Sequence, residues 1–305
     1  MTAAETRTPE HGRLLNAATF AAVGTATLLV AVKAAAWFMT GSVSVLSTLI
    51  DSILDVMASL INLFAVRHAL VPADAEHRFG HGKAEALAGL GQSFFIFASA
   101  GYIIYEAIQR IITPEPVTHS LWGIIVTVIA IGMTLALVSF QRHVVARTNS
   151  LAIEADSIHY RGDLLMNLSV IAALVLSGYL GWEWTDPVFG ILIAGLIAWA
   201  AAQIASNAFD QLMDRELSEE ERERIKTVAL SHPEVINIHD LRTRASGVQN
   251  FIQFHLELDP EITLNEAHRI SDDVEAQIMK EFPGAEVLIH QDPAGLETLS
   301  RLERV

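Results

Sequence analysis

The chain has 305 residues, 51% of them hydrophobic and only 18% charged, against about 25% charged in an ordinary soluble domain; with a mean hydropathy of +0.37, this excludes an ordinary soluble enzyme. There is no cysteine, which excludes disulfides, thiolate metal sites and cysteine nucleophiles. The net charge is −15, and from Phe209 onward 21 Asp+Glu stand against 10 Lys+Arg, so nucleic acid and anionic lipid are excluded as partners of that region, while metal cations are tolerated.

Residues 1 to 15 are polar and the first apolar run is long enough to span a bilayer, so no cleavable signal peptide is expected. Residues 86–105, 116–141, 164–182 and 187–209 hold no Asp, Glu, Lys or Arg. A bilayer-spanning helix needs roughly 20 mostly apolar residues. Six transmembrane helices are predicted, at about 14–38, 43–70, 84–112, 117–145, 149–179 and 184–210. The breaks are "TGSVS", "VPADAEHRFGHGK", "TPEP", "ARTNS" and "GWEWTDP", in which proline and glycine interrupt the helical pattern. Arg7 and Arg13 precede the first helix. Arg67, Arg78 and Lys83 surround the second break, and Arg142 and Arg147 the fourth. The other breaks carry almost no positive charge, so both termini are expected in the cytoplasm.

The remainder reads as a separate α/β unit. Ser218 and Glu221 have capping-box spacing at the start of a helix. "INIHDLRT" and "FIQFHLEL" alternate as strands do. Thr263 and Glu266 open a second helix, to about Phe282, and "EVLIHQ" is a third strand. The expected organisation is an N-terminal tail (1–13), a six-helix membrane domain (14–210) and a cytoplasmic αββαβ domain (211–305).

Asp51 and Asp55 lie four residues apart in an apolar helix and so share one face. A charge at mid-membrane costs at least a few kcal/mol and faces a cavity or a partner. "HYRGD" offers that partner, with His159 and Asp163 at the same spacing. Two such helices face to face bring three carboxylates and one imidazole together. Four N/O donors can close a tetrahedron around Zn²⁺, and the histidine shifts the preference toward Zn²⁺, Fe²⁺, Cd²⁺ or Co²⁺. Clustered carboxylates repel one another and hold protons, so metal binding releases protons. That is the physical basis of a metal/proton antiporter. The competing reading pairs these carboxylates with Lys33 or makes them helix caps.

Histidines recur outside the membrane. Asp74, His77 and His81 share the second break, and spacing alone leaves open whether they bind metal or are unrelated loop residues. Alternation puts Gln253, His255 and Glu257 on one face of their strand and Ile252, Phe254, Leu256 and Leu258 on the other. It likewise puts His239 on a polar face, and His290 and Asp292 on one side of the last strand. Solvated histidine is the plain alternative. His11, His68, His119, His143 and His232 have no evident partners.

The stretches "DSILDVMASLINLFAVRHALVPADAEHRFGHGKAEALA", "ADSIHYRGDLLMN", "LMDREL", "IHDLRTRASG", "FIQFHLELD" and "EVLIHQDP" resemble the cation diffusion facilitator family. More narrowly, they resemble its bacterial zinc, iron and cadmium efflux branch, the ferrous-iron efflux pump-like proteins. The resemblance runs through nearly the whole chain beyond about residue 12. It implies a homodimeric exporter in a bacterial inner membrane, with six helices per protomer and a metallochaperone-like cytoplasmic domain. In that resemblance protons drive metal out by alternating access. The transport site it implies is Asp51, Asp55, His159 and Asp163, the four reached above from spacing. It implies a second site at Asp74, His77 and His81, and a cytoplasmic cluster at His239, His255, His290 and Asp292, with His268 as a further ligand. It also implies a charge interlock between Lys83 and Asp214. Aspartate at the first transport position resembles members with broad cation tolerance.

Rival classes leave no trace. No H-E-x-x-H occurs, as a zinc protease requires, and no G-x-x-x-x-G-K-[ST], as ATP-driven pumping requires. A sodium/proton antiporter would use aspartates but has little need of a histidine-containing set. A membrane-anchored metal sensor would bind metal without flux. The expected function is export of Zn²⁺, with Fe²⁺ and Cd²⁺ as further cargo, by a secondary transporter that is not an enzyme.

Overall fold

A computed structural model describes residues 9–40, 43–113, 121–180 and 185–295. Residues 1–8 and parts of the expected breaks "TGSVS", "TPEP" and "GWEWTDP" lie outside the described residues. The chain divides into two compact units. One is Arg13–Leu70 with Ala84–Phe209; the other joins Val71–Lys83 to the chain from Asp210 onward.

The first unit is helical: α1 (Pro9–Thr40), α2 (Val43–Ala69), α3 (Lys83–Ile112), α4 (Leu121–Thr148), α5 (Leu151–Leu180) and α6 (Thr185–Leu212). Five of these are long and apolar enough to cross a membrane, with only 28–33% of each apolar window buried within the chain. Large apolar side chains such as Leu54, Phe64, Phe94 and Trp199 point outward, as a lipid-facing surface requires. α5 matches its neighbours in length at 30 residues, but Glu154, Asp156, Arg161 and Asp163 crowd its first half. Small residues let the helices approach closely. Ala100, Ala155, Ala194 and Ala201 pack with Ile96, Ile158, Ile197 and Ile204 between α3, α5 and α6. A Cβ on Gly162 of α5 would stand 3.2 Å from Ile197 of α6.

The second unit contains α7 (Glu219–Leu230), β1 (Asn237–Ser246), β2 (Gln249–Leu258), α8 (Leu264–Glu281) and β3 (Glu286–Pro293). Both expected caps form. Ser218 and Glu221 close a capping box on α7, and the Thr263 hydroxyl accepts from Glu266 N on α8. The sheet order is β1-β2-β3, with β1 antiparallel and β3 parallel to the central β2. Ile252, Phe254, Leu256 and Leu258 face a core shared with Ile225, Ile270, Val274 and Ile278. Gln253, His255 and Glu257 are left on the opposite face, as the alternation predicts.

Residues 71–83 are fixed to this unit by close packing. Arg244 of β1 stands over the rings of Phe79 (4.8 Å) and Phe251 (4.6 Å), which meet edge to face at 5.8 Å. A Cβ on Gly82 would lie 2.2 Å from Ser246 O, so only glycine allows that approach.

Candidate metal sites

α2 and α5 run antiparallel with polar groups meeting turn by turn. Asn62 Nδ2 donates to Ala152 O at 3.3 Å, Ser59 Oγ meets Tyr160 Oη at 2.9 Å, and Asp55 meets His159. His159 Nε2 lies 3.1 Å from Asp55 Oδ1 and 3.8 Å from Asp163 Oδ2. A carboxylate accepts and does not donate, so in this arrangement Nε2 carries a proton. A tetrahedral ion with bonds of about 2.0–2.1 Å holds adjacent donors about 3.3–3.4 Å apart. The two observed spacings fall on either side of that value, so a modest shift admits an ion between all three.

Asp51 is on the same face one turn earlier, but it is exposed. It stands outside the set Asp55, His159 and Asp163, whose donor atoms lie within 4.8 Å of one another. The structure therefore brings three of the four expected groups together. Lys33 does not hydrogen-bond these carboxylates among the described residues. Its ammonium donates to Ser52 Oγ at 2.6 Å and to Thr48 O at 3.0 Å, neutral acceptors rather than carboxylates.

Asp74, His77 and His81 do converge. Asp74 Oδ1 is 3.4 Å from His77 Nδ1, and Oδ2 is 3.5 Å from His81 Nε2. The backbone N–H of His77 donates to Asp74 Oδ1 at 2.6 Å and that of Glu76 at 2.9 Å. The His77 N–H is foremost in holding the Asp74 carboxyl below the usual carboxylate range. His81 is buried, with Nδ1 3.3 Å from Val71 O. Since a carbonyl only accepts, Nδ1 bears a proton, and Nε2 is the ring nitrogen turned toward Asp74. An imidazole nitrogen and a carboxylate oxygen 3.5 Å apart are donor types that a divalent cation takes.

The sheet builds the third cluster by register. His239 pairs with His255 across β1 and β2, and His255 with His290 across β2 and β3. Three imidazoles thus form a row across the sheet. The Asp292 carboxylate joins them. Oδ2 is 2.6 Å from His255 Nδ1 and 3.4 Å from His239 Nε2, and Oδ1 is 3.2 Å from His290 Nε2. Oδ2 thus faces two of the histidines and Oδ1 the third. A cavity of about 190 Å³ beside it is lined by Asp240, Gln253, His255 and His290.

Sequence reasoning missed two members of this cluster. Glu257 Oε1 is 3.0 Å from His239 Nδ1, and Asp240 Oδ2 is 3.9 Å from His255 Nε2. Alternation already set Glu257 beside His255; the register supplies its partner. Asp240 is turned by a left-handed backbone (φ 49) at a register shift between His239 and Arg242, which alternation does not reveal. His268 is not brought into the cluster. Its ring is 72% exposed and lies 3.6 Å from Asp272. His232, for which no partner was expected, is buried with Nε2 3.9 Å from Asp273.

Lys83 Nζ is 2.9 Å and Arg244 3.2 Å from Asp214 Oδ1. Burial works to raise the Asp214 carboxyl, but these two cations hold it below the usual range.

Comparison with known proteins gives the family. The family profile described as "Cation efflux transmembrane domain" matches residues 19–213, which include most or all of each of the six long helices. "Cation efflux protein, cytoplasmic domain" matches residues 217–294. The chain is 47% identical over 292 residues to a Shewanella oneidensis protein named "Cation-efflux pump FieF", covering 96% of this chain and 98% of that one. A Klebsiella pneumoniae protein of the same name is 47% identical over 286 residues, covering 94% and 95%. Among solved structures, the zinc form of the putative zinc transporter CzrB is 34% identical, with a TM-score of 0.27, and covers 28% of this chain and 98% of that chain. The metal-bound C-terminal domain of the CzcD transporter from Thermotoga maritima is 27% identical, with a TM-score of 0.25, and covers 27% and 100%.

Proposed function

Because the chain belongs to the cation diffusion facilitator family, in its zinc and ferrous-iron efflux branch, and is thus a multi-pass transporter of divalent cations rather than an enzyme, we propose that it exchanges Zn²⁺ for protons. Asp55, His159 and Asp163 hold the ion, and Asp51 completes the shell as the ion enters. Fe²⁺ and Cd²⁺ fit the same mixed N/O donors.

One observation carries this reading: His159 Nε2 sits between two carboxylates, 3.1 Å and 3.8 Å away. That nitrogen holds either a proton or a metal ion, never both, so the two compete for one atom. Metal entering from the cytoplasm displaces the proton. After the helices reorient, a proton from the outer side displaces the metal.

The positive residues around the second and fourth breaks support cytoplasmic termini, and the bacterial relatives support a bacterial inner membrane. The domain boundaries then fall near residues 13 and 210. Asp74, His77 and His81 form a second intracellular site, and His239, His255, His290 and Asp292 a cytoplasmic one that senses metal and favours a homodimer. His268 is exposed enough to reach that cluster from a second copy. Lys83 and Asp214 act as a charge interlock.

The test is flux in proteoliposomes under an imposed pH gradient, with Zn²⁺ compared against Na⁺. Uphill Zn²⁺ movement driven by the gradient is expected. Na⁺ flux in its place would point to a monovalent antiporter, and Zn²⁺ binding without flux to a sensor; either outcome defeats the reading.

A further inference from the structure

α5 carries a buried carboxylate that the four-ligand reading does not use. Asp156 is 0% exposed. It precedes His159 by three residues and Asp163 by seven, so the three share one helical face. Its carboxylate accepts from Gln141 of α4, whose Nε2 donates to Oδ2 at 2.6 Å. Gln141 is also 0% exposed. Asp156 Oδ1 and Gln141 Oε1 are both buried without a hydrogen-bond partner among the described residues. Two orphaned acceptors thus sit on two side chains already joined by one bond.

A buried carboxylate whose only hydrogen-bond partner is a neutral amide is a costly anion. A carboxylic acid facing an amide has room for two bonds: amide N–H to one carboxyl oxygen, and carboxyl O–H to the amide oxygen. Only the first is present. A single proton on Oδ1 provides the donor for the second and satisfies both orphans. The charged groups acting most strongly on Asp156 are His159 and Asp163 on its own helix and Asp55 from α2; the titratable phenol of Tyr160 also acts on it from α5, while α4 presents the neutral Gln141. All three charged groups belong to the proposed transport site. Asp156 lies about one helical turn, roughly 5–6 Å between Cβ atoms, from His159, which would hold the ion. The ion's double positive charge favours the anion of Asp156 and so expels the proton.

We propose that Asp156, paired with Gln141, is a proton-binding site of the exchange cycle and not itself a metal ligand. As the divalent ion binds from the cytoplasm, the Oδ1–H bond breaks and the proton passes to cytoplasmic water. When the ion departs on the outer side, a proton taken up there re-forms the bond. The proposal rests on the antiport reading and adds to it one exchanged proton that no ligand carries.

The experiment compares the full-length wild type with Asp156→Asn, which keeps the shape but binds no proton. Zn²⁺ calorimetry in buffers of different ionisation enthalpy counts protons released on binding. In proteoliposomes, the Zn²⁺ gradient that just balances a given pH gradient counts protons per ion transported. The variant should release one proton fewer on binding and exchange one fewer per ion. Equal counts in the two proteins would overturn the proposal. Should the wild type show no pH-driven flux, the antiport reading fails, yet the calorimetric difference still decides whether Asp156 yields a proton. If Asp156→Asn does not fold, Gln141→Leu serves: loss of the amide should displace the pH profile of Zn²⁺ binding, and an unmoved profile counts against the proposal.

Discussion

Replacing His159 with alanine tests competition between metal and proton at one atom. An ion gripped by Asp55 and Asp163 occupies the place of the Nε2 proton, which lies between carboxylate oxygens 3.1 Å and 3.8 Å away. Each proton that must leave changes apparent metal affinity tenfold per pH unit while the group is protonated, or about 1.4 kcal/mol. His159 alone should therefore give log affinity a slope of about one against pH. Losing a group that merely supports a ligand costs about 10–100-fold, so losing a direct donor should cost at least about 100-fold, or about 2.8 kcal/mol. The assay is Zn²⁺ calorimetry from about pH 6 to about pH 8, with Asp74→Ala and His255→Ala in the background to silence the other clusters. His159→Ala should bind at least about 100-fold more weakly and with a shallower pH slope. Asp163→Ala should bind as weakly but still release the His159 proton. An unchanged slope in His159→Ala, or a loss below about threefold, would refute the argument.

Two further outcomes follow from the second unit. His255 contacts Asp292 at 2.6 Å and stands centrally in the row of three histidines, so His255→Ala should abolish most of the rise in Tm that Zn²⁺ induces. Metal at a hundred times its Kd contributes about 2.7 kcal/mol; a variant whose Tm still rises like the wild type's would remove His255 from the site. Asp214 is held below the usual carboxylate range by Lys83 and Arg244, against the effect of burial. A depressed folded value gives stability that is present above the unfolded pKa, about 3.9, and lost as pH falls through the folded value. The Lys83 and Asp214 side chains are 36% and 43% exposed, so screening limits the contribution to about 1 kcal/mol or less. Asp214→Asn should lower Tm by at most about 2–4 °C at neutral pH. Thermal melts across pH should show that difference closing as pH falls below the unfolded value and through the folded one, and a difference that widens on acidification would contradict the ion-pair account.

The membrane helices were legible because lipid imposes length and apolarity on every span. The two i, i+4 pairs were legible because a helix has a fixed period. Period gives the face of a side chain, but not its height relative to the facing helix. That is why Asp51 and Asp55 read as equivalent, while the packing of α2 on α5 sets only Asp55 against His159. Strand alternation likewise gave the polar face of β2. The neighbours of β2 depend on pairings between distant segments, so the histidine row and the role of Glu257 appear only with the register. The Lys83–Asp214 pair joins exposed residues far apart in sequence. No local pattern encodes such a contact, and only resemblance to a family suggested it.

The precision of the membrane site has a physical source in the same packing. Asp55, Ser59 and Asn62 fall on successive turns of α2, and each meets a polar group of α5. Ser59, Asn62 and Tyr160 are buried, so each bond they left unmade would cost more than it does at a surface. Slippage of α2 along α5 by one turn would break all three contacts together. The bonds of Ser59 to Tyr160 and of Asn62 to Ala152 therefore fix the height at which Asp55 confronts His159. Tyr160 is itself held among Ala22, Leu137 and Val138, which ties this register to α1 and α4. Metal donors mounted on rigid helices keep their spacing better than donors on loops. The membrane site thus owes its geometry to neutral contacts one and two turns away, groups that never touch the ion.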